Sequence, residues 1–207
     1  MFTGPNIVTD GLVLHLDAAN TKSYPGTGTT WYDRSGKGAN GTLTNGITWN
    51  NKGWFELDGV NDGVDSINIP QNYVDLMIGM YSLGDTGTSL EMVFSKFDDY
   101  DKSLRTSYGI FRHSGLDSND WNYQNTQYDF TNGSLLTGDV NLKNNWNIIR
   151  TVNQNSTFVS PFVYSISSDF YGRRYKGRIA FVLCYNRILS TQEVLQNYNA
   201  TKSRFNL

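Results

Sequence analysis

The chain has 207 residues, 17% of them charged and 14% aromatic, with a formal net charge of −2. That suits a single all-β domain over residues 1–207, able to bury most of its apolar surface without covalent staples. No Lys/Arg excess supports binding to nucleic acid or an anionic membrane, and the run Arg173-Arg174-Tyr175-Lys176 is too short to reverse this.

Cys184 is the only cysteine, so no intrachain disulfide can form. No window approaches the roughly 18 apolar residues of a membrane span, and Met1-Phe2-Thr3-Gly4-Pro5 has neither the basic start nor the apolar core of an export signal.

Leu12, Leu14 and Leu16 alternate with Val13, His15 and Asp17, the period-2 pattern of a strand with one face in a core. A polar, Gly-rich stretch follows from Asn20 to Gly46. Within it Asn40-Gly41 and Asn45-Gly46 are predicted tight turns around Thr42-Leu43-Thr44, because Asn-Gly tolerates positive φ. Phe55 and Leu57 alternate with Glu56, and Ile67 and Ile69 resume the pattern until Pro70 ends it. Leu90, Met92 and Phe94 form another row, as do Trp146 and Ile148.

Ile179, Phe181, Leu183 and Tyr185 are predicted to share one strand face, with Ala180, Val182 and Cys184 on the other. A strand apolar on both faces belongs in the middle of a layered structure, and Cys184 within it reads as a small buried hydrophobe. Ser190-Thr191-Gln192-Glu193 is a capping box that starts a helix, with Leu189 and Val194 as its hydrophobic staple and Val194, Leu195 and Tyr198 as its apolar stripe. Many short strands, frequent turn signals and one terminal helix predict a β-sandwich or jelly roll.

Three stretches carry a family resemblance. The first is Gly11-Leu-Val-Leu-His-Leu-Asp-Ala-Ala-Asn20, followed by Trp31-Tyr-Asp-Arg-Ser-Gly-Lys-Gly-Ala-Asn-Gly41. The others are Phe55-Glu-Leu-Asp-Gly-Val-Asn-Asp62, and Gly177 to Ser190 running into Glu193 and Asn197-Tyr198. Together they resemble laminin G-like domains of the concanavalin A-like lectin/glucanase superfamily, over residues 7–69 and 175–207, while the middle departs from that pattern. The resemblance implies a concanavalin A-like β-sandwich with one short C-terminal helix. The variant resembles those of tailed-bacteriophage virion proteins, which implies a location on the virion surface after synthesis in the host cytoplasm.

Glucanases of this superfamily carry a Glu-x-Asp strand motif followed by a second Glu, since retaining hydrolysis needs two carboxyl groups about 5 Å apart. Here Val60 and Asn61 stand where that second acid would be, and the only other glutamates are Glu91 and Glu193. No catalytic residue is therefore assigned. The 56–65 stretch reads as a turn that uses Gly59, Asn61 and Gly63 for their conformational freedom, with calcium held by Asp58, Asp62 and Asp65 as the alternative.

Of the two histidines, His15 reads as a strand-face residue and His113 as a candidate surface contact. The best candidate for recognition is the 117–128 segment. Trp121 and Tyr123 offer flat faces there beside Asp117, Asn119, Asp120 and Asn122, a set that suits either a protein interface or a sugar.

The expected function is non-catalytic: a capsid decoration or head/tail accessory protein that binds other virion proteins, with host-surface glycans and a second copy of itself as further partners. A carbohydrate-binding lectin or adhesin is the alternative, and a glycoside hydrolase the least favoured.

Overall fold

Where apolar and polar side chains alternate in the sequence, the chain forms strand. The computed structural model describes residues 5–70, 74–84, 91–96, 99–106, 110–111, 130–135, 140–152, 162–167 and 173–207. In chain order come β1 (Leu12–Asp17), β2 (Thr30–Trp31), β3 (Gly41–Thr44), β4 (Thr48–Asn50), β5 (Trp54–Asp58), β6 (Gly63–Ile69), β7 (Asp75–Ser82) and β8 (Glu91–Lys96). There follow β9 (Asp99–Thr106), β10 (Ile110–Phe111), β11 (Phe130–Thr131), β12 (Ser134–Leu135), β13 (Val140–Asn141), β14 (Trp146–Val152), β15 (Phe162–Ile166), β16 (Lys176–Tyr185) and α1 (Thr191–Thr201).

One sheet runs β12-β11-β14-β7-β16-β5-β4, and the facing sheet runs β2-β3-β6-β15-β8-β9; β10 and β13 form a small separate pair. β16 organises the first sheet. One of its edges pairs with β7 along its length, while the other is shared by β5 over 176–179 and β1 over 181–185.

Three layers result. Leu14, Leu16, Trp31, Phe55, Ile67, Ile78, Phe94, Ile149 and Val182 are buried between the sheets. Leu12, Trp54, Met77, Ile148, Phe181, Leu183, Val194 and Phe205 fill a second core between the outer face of the first sheet and α1. Cys184 lies fully buried in the inter-sheet core.

Bulges shift the expected alternation in two strands. In β16 the register with β7 slips between Ile179 and Phe181, so Ala180 joins Phe181 and Leu183 on the helix side while Ile179 faces the other sheet. In β1 the slip falls between Leu12 and Leu14, which sends Leu12 to the helix layer and Val13 inward. An extra residue on one strand moves every later side chain to the other face, and local periodicity does not reveal it.

Asn45 (φ 59°) and Gly46 (φ 91°) make the predicted tight turn, but Asn40-Gly41 does not. Gly41 lies inside β3, where a Cβ would sit 2.5 Å from Val64 Cγ1, so close packing rather than a turn demands glycine there.

The capping box forms as predicted, with Ser190 Oγ accepting from Glu193 N–H and Glu193 Oε2 accepting from Ser190 N–H at 2.9 Å. The buried stripe of α1 is instead Val194, Asn197 and Thr201, with Leu195 and Tyr198 half-buried. Asn197 replaces an apolar residue because its amide is fully used: Oδ1 accepts from Val8 N–H at 2.9 Å and Nδ2 donates to Tyr185 Oη at 2.9 Å. Tyr185 Oη in turn donates to the Val8 carbonyl.

A buried ion pair locks the helix entry. Arg150 Nε donates to Asp75 Oδ1 at 3.0 Å, and Asp75 Oδ2 accepts from the Leu189 N–H at 2.8 Å. Arg150 is 1% exposed and Asp75 0%.

Candidate functional site

On β1 the phase that sends Leu14 and Leu16 inward turns His15 and Asp17 to the outer face of the sheet, beside α1. The Asp33-Arg34-Ser35 loop docks on that strand. His15 N–H donates to Asp33 Oδ1 at 2.9 Å, and Arg34 N–H donates to the His15 carbonyl at 2.8 Å. Asp33 also accepts from Ser35 N–H, Ser35 Oγ and Ala39 N–H, so both its oxygens are committed to shaping the loop.

From the other side, the bonds of Val8 to Asn197 and Tyr185 hold the N-terminal segment against α1. Gln196 Nε2 adds a bond to the Asn6 carbonyl at 2.8 Å. Between these walls runs a groove of about 780 Å³. Its floor carries Leu12, His15 and Asp17, one wall Asn20 and Arg34, and the other Asn6, Thr201 and Arg204.

Asp17 Oδ1 accepts from Ala19 N–H and pairs with Arg204 Nη1. The Arg204 guanidinium lies over the Phe181 and Phe205 rings, 5.4 and 5.2 Å from their centroids. By contrast, the His15 imidazole and the Arg34 guanidinium have no hydrogen-bond partner among the described residues. Burial pushes the His15 pKa below its ordinary value; Asp17 and Asp33 oppose the shift, and Arg204 and Arg34 add to it. The ring is therefore neutral near pH 7, with one donor and one acceptor to offer. A concave surface with convergent polar groups and a perturbed titratable side chain is the physical profile of a binding site.

Asp117, Asn119, Asp120, Trp121, Asn122, Tyr123 and His113 lie outside the described residues. The acids of the 56–65 stretch are described, and Asp58 and Asp62 serve the turn. Asp58 Oδ1 accepts from the N–H groups of Val60, Asn61 and Asp62, and Asp62 Oδ2 accepts from Asp58 N–H. Burial raises the Asp58 carboxyl, but those backbone donors outweigh it and hold the pKa below the ordinary value. Asp65 Oδ2 accepts from Thr44 Oγ1 across to β3. Among the described residues, no group of three or more His, Cys, Asp or Glu converges to hold a metal ion.

Glu56 points to the outer face, in a cross-strand row that runs Thr48, Glu56, Arg178, Tyr81, Trp146 over β4, β5, β16, β7 and β14. Its Oε1 accepts from Trp54 Nε1 at 3.1 Å and lies 3.4 Å from Arg178 Nε. The Arg178 guanidinium covers the Tyr81 ring at 4.8 Å and the Trp54 ring at 5.6 Å. Arg178 thus occupies one face of each of these two rings.

Reading the sequence alone did not single out the groove. Its polar residues come from four separate stretches, brought together by a bulge in β1, an Asx-built loop and a helix end. The legible signal was the Trp31 to Gly41 motif, whose Asp33 shapes the wall.

No protein-family model matches the sequence, and no curated protein does. Several solved structures do. A Trypanosoma rangeli sialidase in complex with 2,3-difluorosialic acid is similar with a TM-score of 0.60 and 15% identity, over 97% of this chain and 35% of that one. Domain 4 of AbnA, an extracellular arabinanase from Geobacillus stearothermophilus, in complex with arabinotriose, is similar with a TM-score of 0.57 and 14% identity, over 90% of this chain and 98% of that one. A point mutant of HCR/D matches with a TM-score of 0.57 and 13% identity, over 92% of this chain and 51% of that one.

This chain spans about a third of the length of the sialidases it matches. At these identities the likeness defines the fold. The chain has an all-β, concanavalin A-like β-sandwich fold with one short C-terminal helix.

Proposed function

We propose that this chain is a non-catalytic recognition domain that binds carbohydrate in the groove between its N-terminal segment, β1 and the end of α1. The observation that carries the reading is the pair of polar side chains without a hydrogen-bond partner among the described residues, His15 and Arg34, converging on one concavity with the amides of Asn6 and Asn20. Polyhydroxylated ligands need several donors and acceptors at fixed spacing within a concave surface, and leaving such groups unpaired on binding is costly.

The fold likeness supports the reading, since one structure similar over nearly its whole length is a domain in complex with arabinotriose. The non-catalytic part is supported by Glu56, whose carboxylate is engaged by Trp54 and Arg178 and has no second glutamate beside it. A location on a virion surface, with other virion proteins as partners, is a finer reading supported by the motif resemblance of residues 7–69 and 175–207. Co-purification with an intact particle would test it.

The experiment is an immobilised panel of neutral and acidic oligosaccharides probed with the purified chain, with released sugar assayed in parallel. Binding that is lost in a folded His15→Ala/Arg34→Gln variant, without release of sugar, is expected. Binding to none of the panel would overturn the carbohydrate reading, and release of sugar that stops in Glu56→Gln would overturn the non-catalytic one.

A further inference from the structure

The charge balance of the groove narrows its ligand class. His15, Asp17, Arg34 and Arg204 are its ionisable lining residues. The one acid among them, Asp17, is paired with Arg204 and capped by Ala19 N–H. Asp33, beneath the wall, has its oxygens committed to four donors within the loop and strand. Asp17 is the only carboxylate in the lining, so none there is free for Arg34, and among the described residues Arg204 Nε and Nη2 have no hydrogen-bond partner. The lining thus carries Arg34 and Arg204 against the single acid Asp17, with the Asp33 carboxylate beneath the wall turned to the loop's own donors.

We infer that the groove takes a carboxylate-bearing sugar, a uronic or sialic acid residue, with the acid group on the Arg34 guanidinium and the ring hydroxyls on Asn6, Asn20 and His15. This rests on the carbohydrate reading above and adds the charge of the ligand.

The guanidinium fork matches a carboxylate with two parallel N–H···O bonds, stronger than bonds to a neutral hydroxyl. Concave walls limit the solvent screening that makes exposed ion pairs weak. The neutral His15 ring, flanked by Asp17 and Asp33 as well as Arg34 and Arg204, adds no repulsion and can read a hydroxyl.

Calorimetric titration of the full chain separates these claims, using digalacturonic acid against digalactose and sialyllactose against lactose. At least one acid is expected to bind roughly tenfold or more tightly than its neutral counterpart, with the advantage shrinking in about 0.5 M salt. Which pair shows the difference distinguishes uronic from sialic acid.

Arg34→Gln should abolish the difference by weakening the acidic sugar roughly tenfold or more beyond its neutral counterpart, with the unfolding midpoint unchanged. Equal affinity for acid and neutral sugars, or an acid preference that survives Arg34→Gln, would overturn the inference and leave the carbohydrate reading standing. Displacement of the acidic sugar by an equal concentration of acetate would also overturn it, by showing a plain anion site. Failure of all four sugars to bind would overturn both.

Discussion

The Arg34 N–H bonded to the His15 carbonyl at 2.8 Å fixes a surface loop on an edge of the central sheet, and it sets on one groove two side chains that have no hydrogen-bond partner among the described residues. Because burial lowers the His15 pKa from its ordinary 6.5, the folded chain binds a proton there less readily than the unfolded one. The sign follows from linkage: stability from this group is present above the unfolded value of 6.5 and is lost as pH falls from there through the lower folded value. Denaturant melts from pH 7.5 to 5 should show this slope in the wild type and a flatter one in His15→Gln. Identical slopes would mean that His15 is not held neutral by its surroundings.

The helix cap makes a second pH-dependent contribution, of opposite chemistry. The Arg187 guanidinium, hydrogen-bonded to Glu193, and the Ser190 N–H lower the Glu193 pKa from 4.5 to about 2. A depressed carboxyl stabilises above its unfolded value and loses that contribution as pH falls toward the folded one, here between 4.5 and about 2. Acid unfolding of Glu193→Gln should be less steep in that window. At neutral pH, Ser190→Ala should lower stability by about 1 kcal/mol in urea melts without altering sugar binding.

The buried pair of Arg150 and Asp75 ties β14 and β7 to the Leu189 N–H at the helix entry. Replacing one partner leaves an uncompensated charge in the core, so Asp75→Ala should cost about 3–5 kcal/mol by equilibrium denaturation. An Asp75→Leu/Arg150→Met double variant should recover part of that loss, because no lone charge remains. A single variant within 1 kcal/mol of wild type, by the same buried-pair estimate, would contradict the role assigned to the pair.

Much of the sandwich was legible because it rests on local pattern. The rows of β5, β6 and β14, the Asn45-Gly46 turn and the Ser190 to Glu193 box each follow from a period or a spacing. What escaped is non-local. The bulges in β1 and β16, the contact of Gly41 with Val64 and the Asn197–Tyr185 bond each depend on a partner far along the chain. The groove escaped for the same reason, since Asn6, His15, Arg34 and Arg204 belong to separate stretches. The 117–123 residues singled out for their composition lie outside the described residues, whereas the groove was found from geometry and unpartnered charge.

The most direct measurement is an NMR titration of the labelled chain with digalacturonic acid and, separately, sialyllactose, following the ring signals of His15 together with the indole signals of Trp54 and Trp146. Saturable shifts at His15, with the two indoles unmoved, are the expected result. Shifts confined to Trp54 and Trp146 would place recognition on the Glu56–Arg178–Tyr81–Trp146 row instead, and would contradict the groove as the site.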